Sequence, residues 1–206
     1  MNPSQSGDLI QLRAEIAAAA ARMIAEDGAS YGMAKRKAAE LILGGTKVRG
    51  EFMPDNAQVE DEVRAYQQLF LSDTQPARLH HLRTTALQLM IEFADFRPYL
   101  TGAILNGTAG QHSDIHLHLF VDSAKDVEIF LLNKNIQFEV SESPHFTKEG
   151  DPVETLSFMW QGEGAHLALY QTDDLRHGKK NISGRMERAD AEALRKLMEE
   201  SGSAHE

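Results

Sequence analysis

The spacing of apolar residues changes near Arg97-Pro98, and this change limits the possible folds more than any other feature of the chain. Before that point, apolar residues recur three or four positions apart, as in Leu82, Ala86 and Leu89, which is the spacing of one buried helix face. After it, they alternate with polar residues, which is typical of strands with one buried side. We therefore predict an α+β fold in which an N-terminal helical region is packed on a small mixed β-sheet. The helical region is 1–97 and the α+β region is 98–206, as two domains or one continuous domain.

Capping residues and chain breakers divide the two regions into elements. The predicted helices of the first region end at Asp27-Gly28, run from Ser30 to Gly44-Gly45, begin at Pro54-Asp55-Asn56, and run from Thr74 to Arg97-Pro98. The predicted elements of the second region are strands Tyr99–Asn106 and Asp114–Val121, helix Lys125–Leu132, strand Ile136–Val140, a loop at Ser141–Asp151, strands Thr155–Trp160 and Ala165–Tyr170 around a Gln161–Gly164 hairpin turn, and helix Ala189–Glu200.

The composition excludes several classes of site. The 206 residues carry a net charge of −10, with 31 acidic against 21 basic residues, so we expect no general binding of nucleic acids. The chain contains no cysteine, which excludes disulfides, thiolate metal sites and cysteine nucleophiles. The first residues lack the basic and apolar segments of a signal peptide, and the Ala17–Ala21 run is too short to span a bilayer. We therefore expect a cytoplasmic protein without a membrane partner.

The segment Leu105–Phe120 concentrates most of the chemistry in the sequence. It contains a tight turn at Gly107-Thr108-Ala109-Gly110, whose backbone amides are of a kind that can bind an anion. A predicted strand follows, on which Asp114, His116 and His118 alternate with apolar residues. Because side chains two positions apart share a face of a strand, these three groups are predicted to lie in a row.

A strand, a Gly-Thr turn and then Ser-Asp-x-His resembles the signature of the nucleotidyltransferase superfamily with the DNA polymerase β-like fold. The resemblance implies a small mixed sheet of nucleotidyltransferase type, a nucleoside triphosphate substrate, a divalent ion such as Mg²⁺ or Mn²⁺, and transfer of a nucleotidyl group to a hydroxyl. It also implies that Gly107, Thr108 and Ser113 face the phosphates, and that Asp114 is the first metal-binding carboxylate. His116 falls where the family has its second carboxylate. The family's third carboxylate would come from a later strand, with Glu139 and Glu154 as the candidates.

The imidazole of His116 leaves two other functions open. The first is a catalytically inactive binding or regulatory protein that keeps the nucleotidyltransferase fold and presents its helical half to a protein partner. The second is a mononuclear metal-dependent hydrolase, because Asp114, His116 and His118 are ligand types that suit Zn²⁺ or Mn²⁺. His112 would extend this row if the strand began early enough, and His166 would complete it only if the sheet places the two strands side by side. No Ser-His-Asp arrangement and no Gly-x-Ser-x-Gly elbow is evident from the sequence.

Two basic segments admit either a functional or a structural interpretation. Lys35-Arg36-Lys37 is either a phosphate-binding cluster or, as helices more often have, a solvated face. The second segment follows the predicted hairpin, where basic side chains either grip a triphosphate or lie in a charged surface loop. Its members are Arg176, Lys179, Lys180 and Arg185.

Overall fold

The computed structural model describes residues 3–44, 50–147, 150–177 and 187–203, and these form helices and one five-stranded mixed sheet. The predicted α+β class and the helical N-terminal region are confirmed. The helices are α1 (Pro3–Asp27), α2 (Tyr31–Leu43), α3 (Asn56–Phe70), α4 (Gln75–Glu92), α5 (Gly102–Asn106), α6 (Ala124–Asn133) and α7 (Ala191–Ser203). The strands are β1 (Pro98–Thr101), β2 (Ile115–Val121), β3 (Glu139–Ser143), β4 (Val153–Trp160) and β5 (Glu163–Gln171).

The chain divides into two compact units. The first unit comprises Met1–Arg78 together with Thr108–His112, and the second comprises Leu79–Gly107 together with Ser113–Glu206. Most of α4 therefore belongs with the sheet, although its helical period groups it with the N-terminal helices in the sequence. Contacts made in three dimensions set this division, whereas the change of period near residue 97 marks only the end of the helical run.

The first unit has its own core, built from α1, α2 and α3. Its buried residues are mainly alanines, which let neighbouring helices approach closely. Ser30 caps α2 by accepting from the Met33 amide, and Asp55 forms a capping box at the start of α3, as these residue types predict. Gly44 ends α2 in the left-handed conformation, while Gly45 lies outside the described residues. The helical spacing of α2 predicts that Leu41 lies on the buried side with Ala34 and Ala38, and this prediction is wrong, since 67% of the surface of Leu41 is exposed.

In the second unit, the sheet has the strand order β1-β2-β5-β4-β3. The pair β2–β5 is parallel, and every other neighbouring pair is antiparallel. The register places His116 directly opposite His166 across the parallel pair, and Ser157 opposite His166 across the β4–β5 hairpin. The strands that carry these three residues are therefore neighbours, in the order β2, β5, β4.

Two predicted strands differ from the observed ones. The predicted strand Tyr99–Asn106 is β1 followed by the short helix α5, because Gly102 turns the chain at a φ of 71° and Gly107 ends the helix at a φ of 87°. The buried guanidinium of Arg83 donates to the carbonyls of Ile104 at 3.1 Å and Leu105 at 3.4 Å, because the last carbonyls of a helix have no partner within the helix itself. The predicted strand Ile136–Val140 is displaced toward the C-terminus, since β3 spans Glu139–Ser143.

The two faces of the sheet differ in character. One face carries apolar side chains such as Leu117, Leu156 and Leu167, all fully buried. On this side, the Phe93 ring packs against Phe158 of β4 and Phe130 of α6, with centroids 6.2 and 4.9 Å apart. The opposite face carries the alternate residues, which are largely polar. Any site formed by the predicted row of β2 must therefore lie on that polar face.

Candidate functional site

A cleft of about 400 Å³ lies on the polar face of the sheet, within the second unit. Hydroxyl and imidazole groups from all five strands line it, among them Thr101, His116, His118, Ser141, Thr155, Ser157 and His166. No aspartate, glutamate, lysine or arginine is among the described residues that line this cleft. Its volume falls in the range of small-molecule sites, and its lining offers many hydrogen bonds with little fixed charge.

At one end of the cleft, His116 and His166 meet Asp114. The two imidazole rings stack with centroids 4.8 Å apart and planes tilted by only 16°. The carboxylate of Asp114 contacts His166 Nε2 at 3.2 Å. Asp114 precedes β2 and faces the same side as His116, so the parallel β2–β5 pairing brings Asp114 and His116 next to His166. The sheet therefore places the strands of His116 and His166 side by side, which the sequence alone left open.

Ser157 completes a continuous chain of contacts through His166. Its hydroxyl lies 2.8 Å from Nδ1 of that imidazole, whose other nitrogen faces Asp114. A glycine makes room for this arrangement: a Cβ added at Gly164 would lie 2.4 Å from Asp114 Oδ1. We call Ser157, His166 and Asp114 the relay.

His118 lies further along the cleft, in an aromatic environment. Its ring stacks on Phe146 at a centroid distance of 5.8 Å and tilts against Tyr170 at 4.6 Å. Among the described residues, its buried Nδ1 has no hydrogen-bond partner. Desolvation, assisted by the positive charge of Arg188 and the neighbouring imidazoles, lowers the pKa of His118 to about 4.

The pKa of His116 is lowered as well. Although His116 is exposed, desolvation and then the neighbouring imidazole of His166 lower its pKa, against the weaker opposing effect of Asp114. At neutral pH, His116 and His118 therefore offer hydrogen bonds and aromatic surface rather than positive charge.

The side chains proposed as metal ligands do not converge on one point. Asp114 is hydrogen-bonded to His166. The rings of His116 and His166 are stacked nearly parallel, so their nitrogens lie in two different ring planes. His118 lies among aromatic rings instead of beside Asp114. In the part of the chain that the structure describes, no group of three or more His, Asp or Glu side chains is arranged to hold a metal ion. In this arrangement, Asp114, His116 and His118 do not form a metal site.

The residues predicted to face phosphates have their own places in the two units. Gly107 ends α5, and its amide donates to the Ala103 carbonyl at 3.0 Å. Thr108 belongs to the first unit, where it is 4% exposed and its carbonyl accepts from Gln67 Nε2 at 2.8 Å. Ser113 is half-buried, two residues before β2. The amide of Gly107 and the carbonyl of Thr108 therefore both form hydrogen bonds within the protein.

The remaining candidates, Glu139, Glu154 and His112, are not part of β2. Glu154 belongs to the apolar face of β4, and Glu139 lies on β3, separated from β2 by two strands. Because β2 begins only at Ile115, the alternation does not extend to His112, whose Cβ lies beside Gly28 in the first unit. Neither glutamate joins Asp114 as a third carboxylate.

In the first basic segment, Lys35 makes contacts within the first unit. The ammonium of Lys35 donates to Asn56 Oδ1 at 2.8 Å and to the Pro54 carbonyl at 3.3 Å, which ties α2 to the start of α3. Arg176 is exposed, whereas Lys179, Lys180 and Arg185 lie outside the described residues.

Sequence reasoning missed Ser157. The available signal was the alternation on β4, where Thr155 and Ser157 alternate with the apolar residues Leu156 and Phe158. That pattern predicts a polar strand face, but it gives no indication of which strand lies next to it.

Comparison with the models of known protein families found no match for this chain, and a search among curated proteins found none. Within the described ranges, no helix combines the length and apolar character needed to cross a bilayer.

Proposed function

We propose that the cleft binds a nucleotide through its nucleoside part, and that the protein is a nucleotidyltransferase-type binding or regulatory protein without transfer activity. The observation that carries this proposal is the lining of the cleft by hydroxyls and imidazoles, with no Asp, Glu, Lys or Arg among its described lining residues. A base and a ribose are planar or hydroxyl-rich groups that such a lining can stack on and hydrogen-bond.

Two features support binding over nucleotidyl transfer. Two-metal transfer needs carboxylates that hold Mg²⁺; of the predicted carboxylates, Asp114 contacts His166, whereas Glu139 lies two strands away from β2 and Glu154 belongs to the apolar face. In addition, the neutral lining favours a nucleoside over a triphosphate, whose charge calls for Arg, Lys or a metal ion.

A thermal-shift panel tests this proposal. It contains ATP, GTP, CTP and UTP and the four matching nucleosides, each with Mg²⁺, Mn²⁺ or neither, together with Mn²⁺ alone and Zn²⁺ alone. We expect at least one nucleotide and its nucleoside to raise the melting temperature without metal, because a ligand at 100 times its Kd stabilises a protein by about 2.7 kcal/mol. The absence of a shift with every compound would overturn the proposal.

Variants locate the site. Ala168→Leu fills the cleft from β5 and is expected to abolish the shift, whereas Ala18→Leu, exposed on α1, leaves it unchanged. A shift that requires Mg²⁺ or Mn²⁺ and disappears in Asp114→Ala would instead support nucleotidyl transfer. A shift caused by Zn²⁺ or Mn²⁺ alone would support the mononuclear metal-dependent hydrolase.

A further inference from the structure

The relay joins a hydroxyl, an imidazole and a carboxylate from three neighbouring strands. Ser157 Oγ lies 2.8 Å from His166 Nδ1, and His166 Nε2 lies 3.2 Å from Asp114 Oδ2. An ionised carboxylate can only accept hydrogen bonds, so its contact places the imidazole proton on Nε2. Nδ1 then carries the lone pair that accepts the Ser157 hydroxyl proton.

The relay is accessible to a small molecule. Ser157 and His166 both line the cleft, and Ser157 is half-buried. Asp114 is held at the far side of His166, in the space that Gly164 leaves beside it. The nucleophile and the base therefore face the cavity, while the carboxylate orients the base from behind, which is the division of roles in a serine hydrolase.

We propose that Ser157 is the nucleophile of a serine-hydrolase activity on small carboxylic esters, with His166 as its general base and Asp114 as the positioning residue. The Ser157 oxygen bonds to the acyl carbon while its proton passes to His166 Nδ1. The bond to the leaving alkoxide breaks, and His166 returns the proton to it, so an alcohol leaves and an acyl-serine remains. Water then adds to the acyl carbon with His166 as base, which releases the carboxylic acid and restores the serine.

This activity is separate from the proposed nucleotide binding. The thermal-shift panel reports binding in the cleft, whereas the tests below report the reactivity of one side chain. Either proposal can therefore fail while the other stands.

The first test is labelling of the full-length protein with a fluorophosphonate probe, followed by mass mapping of the modified residue. We expect modification of Ser157, none at that position in Ser157→Ala, and a rate at least about 100-fold lower in His166→Gln, since general-base catalysis is typically worth 10²- to 10⁴-fold. Ser123→Ala is the matched control, because Ser123 precedes α6 and makes no side-chain cap bond. An unlabelled wild-type protein, with chymotrypsin labelled in the same tube, would overturn the proposal.

The second test uses the absence of cysteine from the chain. Ser157→Cys introduces a single thiol whose alkylation by iodoacetamide reports activation directly, because the thiolate is the reactive form. We expect it to react at least about 10-fold faster at pH 7 than the thiol of Ser123→Cys, and to lose that advantage when His166→Gln is added. Equal rates with and without His166 would overturn the role of the relay.

Asp114 and Gly164 are tested as positioning residues. Asp114→Asn and Gly164→Ala are both expected to slow the labelling of Ser157, because the first removes the carboxylate and the second displaces it. A merely structural role would lower the melting temperature without changing the pH profile of labelling. We expect both variants to alter that profile, and an unaltered profile in both would contradict the assignment of Asp114.

Discussion

At the scale of single residues, the cleft is defined by what its imidazoles contact. His118 is held in the neutral form by desolvation and by the charge of Arg188, and its buried Nδ1 lacks a partner among the described residues. His166 has both ring nitrogens engaged, one with Ser157 and one with Asp114. Residues of the same type in one cleft thus have different chemical roles, because their neighbours differ.

The lowered pKa of His118, about 4, predicts a pH dependence of stability. Because the unfolded chain binds a proton near pH 6.5 and the folded protein does not, stability is lost as the pH falls from about 6.5 to about 4, by about 3 kcal/mol at most. We expect His118→Phe to reduce this loss, since phenylalanine can still stack on Phe146 and Tyr170. Urea unfolding at pH 7 and pH 4.5 measures the effect.

His80→Phe is the matched control for this measurement, because His80 is exposed on α4. It is expected to keep the pH dependence of the wild-type protein. If His118→Phe lost as much stability on acidification as the wild type, the buried neutral state of His118 would be contradicted.

At the scale of elements, the β4–β5 hairpin places Ser157 opposite His166. The strands are joined by the two-residue turn Gln161-Gly162, at which both residues have positive φ, 52° and 87°. Such turns match the twist of the strands and fix the register between them. The predicted four-residue turn is shorter in the structure, because Glu163 already pairs with Trp160.

Substitution of Gly162 tests the conformation of this turn. No atom lies within 4 Å of a Cβ added there, so Gly162→Ala costs only the strain of a left-handed alanine, roughly 1–2 kcal/mol. Gly7 on α1 is the matched control, since its added Cβ also meets open space but its φ is not positive. Gly7→Ala is expected to stabilise the protein by roughly 0.5–1 kcal/mol. Urea unfolding measures the change in the free energy of unfolding in both variants, and equal changes would contradict the assigned turn conformation.

At the scale of the whole molecule, the two units each have a core of their own. The core of the first unit is rich in alanine, whereas the second buries larger residues such as Phe93, Leu100 and Leu119. The net charge of −10 applies to the complete chain and opposes association with polyanions.

This charge leads to a prediction about nucleic acids. We expect no saturable binding of single- or double-stranded DNA at 150 mM salt and protein concentrations up to about 10 μM, since non-specific binding depends on a basic surface that releases counterions. Fluorescence anisotropy with labelled 30-mers measures it. Micromolar binding that weakens steeply with salt would show that a local basic surface outweighs the net charge.

The sequence by itself determined the local features of this protein. Apolar periodicity predicted the N-terminal helices and the polar row of Asp114, His116 and His118, and capping residues such as Ser30 predicted helix starts, because each depends on residues a few positions apart. The strand order and the β2–β5 register depend on contacts between distant segments. Only the tertiary structure therefore brought His166 beside His116 and Ser157, and assigned Thr108 to the first unit. A strand's alternation shows which side chains share a face, but the identity of the neighbouring strand is decided by packing of the whole unit.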